Sequence, residues 1–129
     1  MNVIEVAVGF DTNGQPIQWY IPPNGSGVYI PDSRSLWDIL WENRDNLGGV
    51  AHTHPFYGQP GPSETDVTTC SAVERGLGKQ LLWPIVTFNE IATYQWDAEI
   101  GAYARIIGNP LGVVLIDRLR ELSKEVSHG

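Results

Sequence analysis

Residues 3–10, Val-Ile-Glu-Val-Ala-Val-Gly-Phe, run directly into Asp11-Thr12-Asn13-Gly14. This junction limits the fold more than any other feature of the chain. A run of β-formers stopped by an Asn-Gly pair commits the backbone to reverse as a β-hairpin. Residues 16–21 are the returning strand, and Pro22-Pro23-Asn24-Gly25 closes it as a loop. The length of 129 residues supports a single domain over 1–129 with one core. A (β/α)₈ barrel, at roughly 200 residues or more, does not fit.

The rest of the chain alternates helix and strand signals. Pro31-Asp32-Ser33 opens a helix with Asp32 or Ser33 as its cap, and Leu36, Ile39 and Leu40 share one face beside the Trp37–Trp41 pair. Asn46 to Gly49 is expected to stop it. Val50-Ala51-His52-Thr53-His54 follows as a short strand ended by Pro55, which has no N–H to give to a ladder. Ser63 begins a second helix that stops near Gly76 and Gly78, with Cys70, Val67 and Val73 on its inner face. Residues 81–88 read as a buried strand in which Pro84 marks a bulge or an edge. Residues 91–96 and 102–107 form a second hairpin, and Leu111, Leu115, Leu119, Leu122 and Val126 trace a C-terminal helix. The sum predicts an α/β (α+β) domain: one mixed or mostly antiparallel β-sheet flanked by about three helices. The five Trp are expected as core material, with Trp19 and Trp37 able to border a peptide-binding groove.

Composition narrows the partners. Hydrophobic residues make up 42% and charged residues 18%, a globular balance. Fifteen acidic residues against eight basic ones give a net charge of −7, with no Lys/Arg cluster for phosphates, so no nucleic-acid partner is expected. No apolar run approaches the roughly 18 residues of a spanning helix, so no membrane partner is expected either. The single cysteine, Cys70, forbids an intramolecular disulfide. The first residues, Met1-Asn2-Val3-Ile4-Glu5, lack the basic n-region of a secretory signal. A cytoplasmic location is the expectation.

The chemistry concentrates at Ala51-His52-Thr53-His54-Pro55 and Pro62-Ser63-Glu64-Thr65-Asp66. Histidines at i and i+2 of a strand project from the same face, so their imidazoles can converge on one ion. A carboxylate in the first turn of the next helix can supply a third ligand. Two His and one Asp leave the fourth zinc position open to water, the arrangement of a catalytic site. Plainer roles exist for the same residues. The histidines can be a packed polar pair, and Ser63 with Asp66 has the spacing of a capping box. The cap and the ligand reading are compatible, because a cap also fixes where these side chains point.

Rival His-x-His families need an acidic residue or a further histidine two positions past His54, and Phe56 stands there. The chain resembles instead the JAB/MPN family, the JAMM metalloproteases, through His52-Thr53-His54-Pro55 and the Ser-x-x-Asp segment Ser63-Glu64-Thr65-Asp66. Eight residues separate His54 from Ser63, one more than is usual there. The resemblance implies an MPN/cytidine-deaminase-like domain, like the small stand-alone prokaryotic or phage members. It also implies a Zn²⁺ ion held by His52, His54 and Asp66, with Ser63 steadying the oxyanion. The family's catalytic glutamate lies on an early strand, which points to Glu5, with small Ala7 and Gly9 on its face; Glu42 is the alternative. The implied activity is a zinc-dependent peptidase or isopeptidase acting on the C-terminal tail of a ubiquitin-like or sulfur-carrier protein. A non-catalytic scaffold of the same fold and a binding module with structural zinc are the competing readings.

Overall fold

Asp11 builds the first turn with its own side chain. In the computed structural model, which describes residues 3–21 and 34–124, Asp11 Oδ1 accepts the N–H groups of Asn13 and Gln15 at 2.8 and 2.9 Å. Gly14 completes the reversal at a φ of 79°, a conformation that glycine adopts without penalty. The turn joins β1 (Ala7–Asp11) to β2 (Pro16–Tyr20) as an antiparallel pair. There follow α1 (Arg34–Glu42), β3 (Leu47–Thr53), α2 (Glu64–Leu77), β4 (Trp83–Val86), β5 (Ile91–Asp97), β6 (Ala102–Ile106) and α3 (Val113–Lys124). The expected cap at Asp32 or Ser33, the Pro22-Pro23-Asn24-Gly25 loop and Val126 lie outside the described residues.

The strands form one six-stranded sheet in the order β2-β1-β3-β4-β5-β6. Among the described strands only β3 and β4 pair in parallel, because α2 lies between them as a crossover. The described residues thus form an α+β fold, a mixed sheet with three helices. Side-chain alternation along the strands sorts the core into two layers. Ala7, Val50 and Trp83 pack with Leu40 of α1 and with Cys70, Val73 and Leu77 of α2. Val8, Phe10, Ala51 and Val86 pack with Leu115, Ile116 and Leu119 of α3. Helices α1 and α2 therefore cover one face, and α3 covers the other. Among the described residues no helix is long and apolar enough to cross a membrane.

Several local expectations are corrected by long-range contacts. The first strand begins at Ala7 and not at residue 3, because the N–H of Val6 is taken by the Thr53 hydroxyl and that of Ile4 by the Ser123 carbonyl. Helix α1 ends at Glu42, where the backbone N–H and side-chain amide of Asn43 both bond the Ile39 carbonyl. Gly48 and Gly49 belong to β3 and do not stop the helix: a Cβ on Gly49 would sit 2.0 Å from the Leu82 carbonyl oxygen.

Pro84 lies in an interior strand, in unbroken register with Thr93. Its missing N–H falls where the β3–β4 ladder is interrupted, between the Gly49–Leu82 bridge and the His52–Ile85 pair. Val67 is 39% exposed, since the first turn of α2 projects past the core and only later turns are buried. Trp41 and Trp96 are also exposed. Trp19 and Trp37 pack against opposite faces of the sheet, so they border no common groove.

Candidate metal centre

Two central features deliver the histidines. His52 sits within β3, opposite Ala7 of β1 and Ile85 of β4. His54 lies one residue past the strand, and its N–H still bonds the Val86 carbonyl at 2.9 Å. Pro55 then ends the pairing, and both imidazoles remain on the α2 face, where they are buried.

The third group comes from the helix start. Ser63 is the N-cap of α2: its Oγ accepts the Asp66 N–H at 3.0 Å, and Asp66 Oδ2 accepts the Ser63 N–H at 2.9 Å. This capping box pins the Asp66 side chain over the N-terminus of the helix. The same Oδ2 lies 2.9 Å from His54 Nε2 and 3.2 Å from His52 Nε2, and the two Nε2 atoms are 3.2 Å apart. Tetrahedral zinc bound at about 2.0–2.1 Å has neighbouring ligand atoms about 3.3 Å from one another. The triangle has that size, and its donors, two imidazole nitrogens and one carboxylate oxygen, are those zinc prefers.

Glu5, half-buried just ahead of β1, completes a group of four whose ligand atoms all lie within 4.8 Å of one another. The electrostatics divide the two carboxylates. Burial alone would raise the Asp66 pKa, but hydrogen bonds to His52 and His54 hold it far below the ordinary range. Burial raises the Glu5 pKa, and the attraction of His52 and His54 offsets this only in part. For His54, burial works downward, yet the hydrogen bond and charge of Asp66 leave the pKa raised. Environments that push two carboxyl groups apart are a mark of functional sites.

The structure brings Glu5, His52, His54 and Asp66 together, with Ser63 attached through the cap. Glu5 is not on a strand as expected, and the space beside Gly9 is filled by Leu40 of α1, 3.1 Å from where a Cβ would stand. Glu42 is exposed at the end of α1, outside the group. Cys70 is also outside it, buried in the core with its thiol pKa pushed up by burial.

Sequence reasoning missed the rim of the site. The Phe56 ring is 5.8 Å from the His54 ring and half-exposed, and Tyr57 rests 5.2 Å from Phe88. The position of Phe56, two residues past His54 in the chain, was the available signal. No protein-family model matches this chain, and no curated protein matches it.

Proposed function

We propose that this chain is a zinc-dependent hydrolase of peptide or isopeptide bonds, of the JAB/MPN type that its motifs resemble. The observation carrying this reading is the triangle of His52 Nε2, His54 Nε2 and Asp66 Oδ2, with Glu5 set beside it. His52, His54 and Asp66 would hold a zinc ion, which when bound would supply a Lewis acid and lower the pKa of water to about 7. Asp66 stays ionised at neutral pH, so the site keeps its anionic ligand. Glu5, whose burial makes it a stronger base than an exposed carboxylate, takes a proton from the attacking water and returns it to the leaving amine. The Ser63 oxygen already accepts the Asp66 N–H, which leaves its O–H to steady the oxyanion.

The proposed substrate is the extended C-terminal tail, typically Gly-Gly, of a ubiquitin-like or sulfur-carrier protein. The net charge of −7 favours a protein partner over nucleic acid. A reducing, cytoplasmic setting is part of the proposal and is supported by the single, free Cys70. A second reading has one observation in its favour: Glu5 belongs to the four-residue group, and as a fourth ligand it would close the site around a structural ion.

The test is metal content of the purified protein, with cleavage of a Gly-Gly-linked fusion before and after chelation. About one zinc per chain, and cleavage lost on chelation and restored by zinc, is the expected result. Cleavage that persists without metal, or a zinc-loaded protein that cuts nothing, overturns the reading.

A further inference from the structure

Thr53, the residue between the two histidines, faces away from them. Its side chain is 1% exposed on the α3 side of the sheet, where an apolar residue would pack without leaving a polar atom to satisfy. The hydroxyl is engaged instead on two sides. It accepts the Val6 N–H at 2.9 Å, and the Ser123 hydroxyl of α3 lies 2.6 Å away. The Thr53 N–H in turn bonds the Val6 carbonyl at 2.9 Å, so one residue holds both polar groups of Val6. Ser123, fully buried, accepts the Ile4 N–H on its carbonyl at 3.1 Å.

Glu5 lies between these two anchored residues. It is ahead of β1, so no regular ladder holds it. The backbone hydrogen bonds of its neighbours Ile4 and Val6 end on Ser123 and Thr53. Thr53 also shares its two peptide bonds with His52 and His54. The β1–β3 ladder sets the register, and the Thr53 hydroxyl on the far side of the sheet ties down the segment ahead of it that carries Glu5.

We infer that Thr53, supported by Ser123, is the positioning residue for Glu5. The inference rests on the reading of Glu5 as the proton-transferring group, and it adds how that group is held. A misplacement of about 1 Å in a reacting group costs on the order of 10²-fold in rate. The hydroxyl thus bears on turnover without touching substrate or metal.

The experiment compares Thr53→Val, Thr53→Ser and Ser123→Ala with the wild type in three measurements: zinc content, kcat and KM on the Gly-Gly-linked fusion, and amide exchange by NMR. For Thr53→Val the expected result is unchanged zinc, kcat lowered about 10-fold or more at near-constant KM, and lost protection at Val6 while the β1–β3 ladder stays protected. Thr53→Ser, which keeps the hydroxyl, is expected to restore both. Should Thr53→Val fail to fold, Ser123→Ala shows a smaller loss in the same direction. Wild-type protection at Val6 in the valine variant, or a loss of rate that serine does not rescue, overturns the inference. A wild-type protein that binds zinc but cleaves nothing sinks the peptidase reading instead, and the exchange data still decide whether Thr53 holds the segment carrying Glu5.

Discussion

Ala7 pairs with His52 in the antiparallel β1–β3 ladder. Residues paired in this way share a face, and one step of two residues past the ends of the ladder sets Glu5 beside His54. The position of the glutamate is therefore a consequence of strand register. A slip of one residue would turn Glu5 to the α3 side and leave the centre with three groups.

The ligand assignment predicts that His52→Ala and Asp66→Asn each lose tight zinc binding. Loss of an outer-shell partner alone typically weakens a site by about 10- to 100-fold, so loss of a ligand exceeds that. Asparagine can still accept the Ser63 N–H, which separates the metal role of Asp66 from its cap. Metal analysis after dialysis checks this. Stoichiometric zinc in both variants would refute the triangle as the site.

Glu5→Gln is expected to keep about one zinc and to cut turnover by roughly 10²-fold or more, the range that general acid–base catalysis contributes. Glu42→Gln, at an exposed helix end, is the control and should stay within about 0.5 kcal/mol in stability. If Glu5→Gln also strips the zinc, Glu5 is a ligand and the closed-site reading gains.

Stability of the chelated protein should depend on pH in a defined direction. Glu5 and His54 both have raised folded pKa values, so what they contribute is full below their unfolded values of about 4.3 and 6.5 and is lost as pH rises through the folded ones. Asp66 has the opposite sign: its contribution is present above about 3.9 and is lost as pH falls through its depressed value. Chelated wild type should therefore melt lower at about pH 8 than at about pH 6. Chelated Glu5→Gln should melt above chelated wild type at about pH 8, and the gap should close toward about pH 4. Zinc-loaded protein should lose this trend, since ligand binding is favoured by deprotonation. Thermal melts across this range decide it.

Gly49→Ala tests the close approach of β3 to its neighbours. The added Cβ would stand 2.0 Å from the Leu82 carbonyl oxygen and 2.7 Å from Phe10 Cζ. A loss of about 3 kcal/mol is expected from overpacking in the interior of the sheet. Gly61→Ala, with nothing within 4 Å of its Cβ, should be near neutral. Urea midpoints of the two variants check the contrast.

What the sequence determined by itself is local. The Asp11–Gly14 reversal, the shared face of His52 and His54, the stop at Pro55 and the Ser63–Asp66 cap each depend on residues within a few positions of one another. Backbone geometry and short-range hydrogen bonds settle such features wherever the segment is placed. Tertiary structure decided the rest. Pro84 sits inside the sheet, against its local preference, because β4 is needed between β3 and β5 to bury Trp83, Ile85 and Val86. Gly49 has the local character of a helix stop, and the Leu82 carbonyl that requires a glycine there is 33 residues away along the chain. Glu5 reaches the histidines only through the pairing of β1 with β3, and Asp66 reaches them only because α2 packs on the same face of the sheet. These contacts join segments far apart in the chain. Their energy comes from burying both partners at once, which no local pattern of residues records.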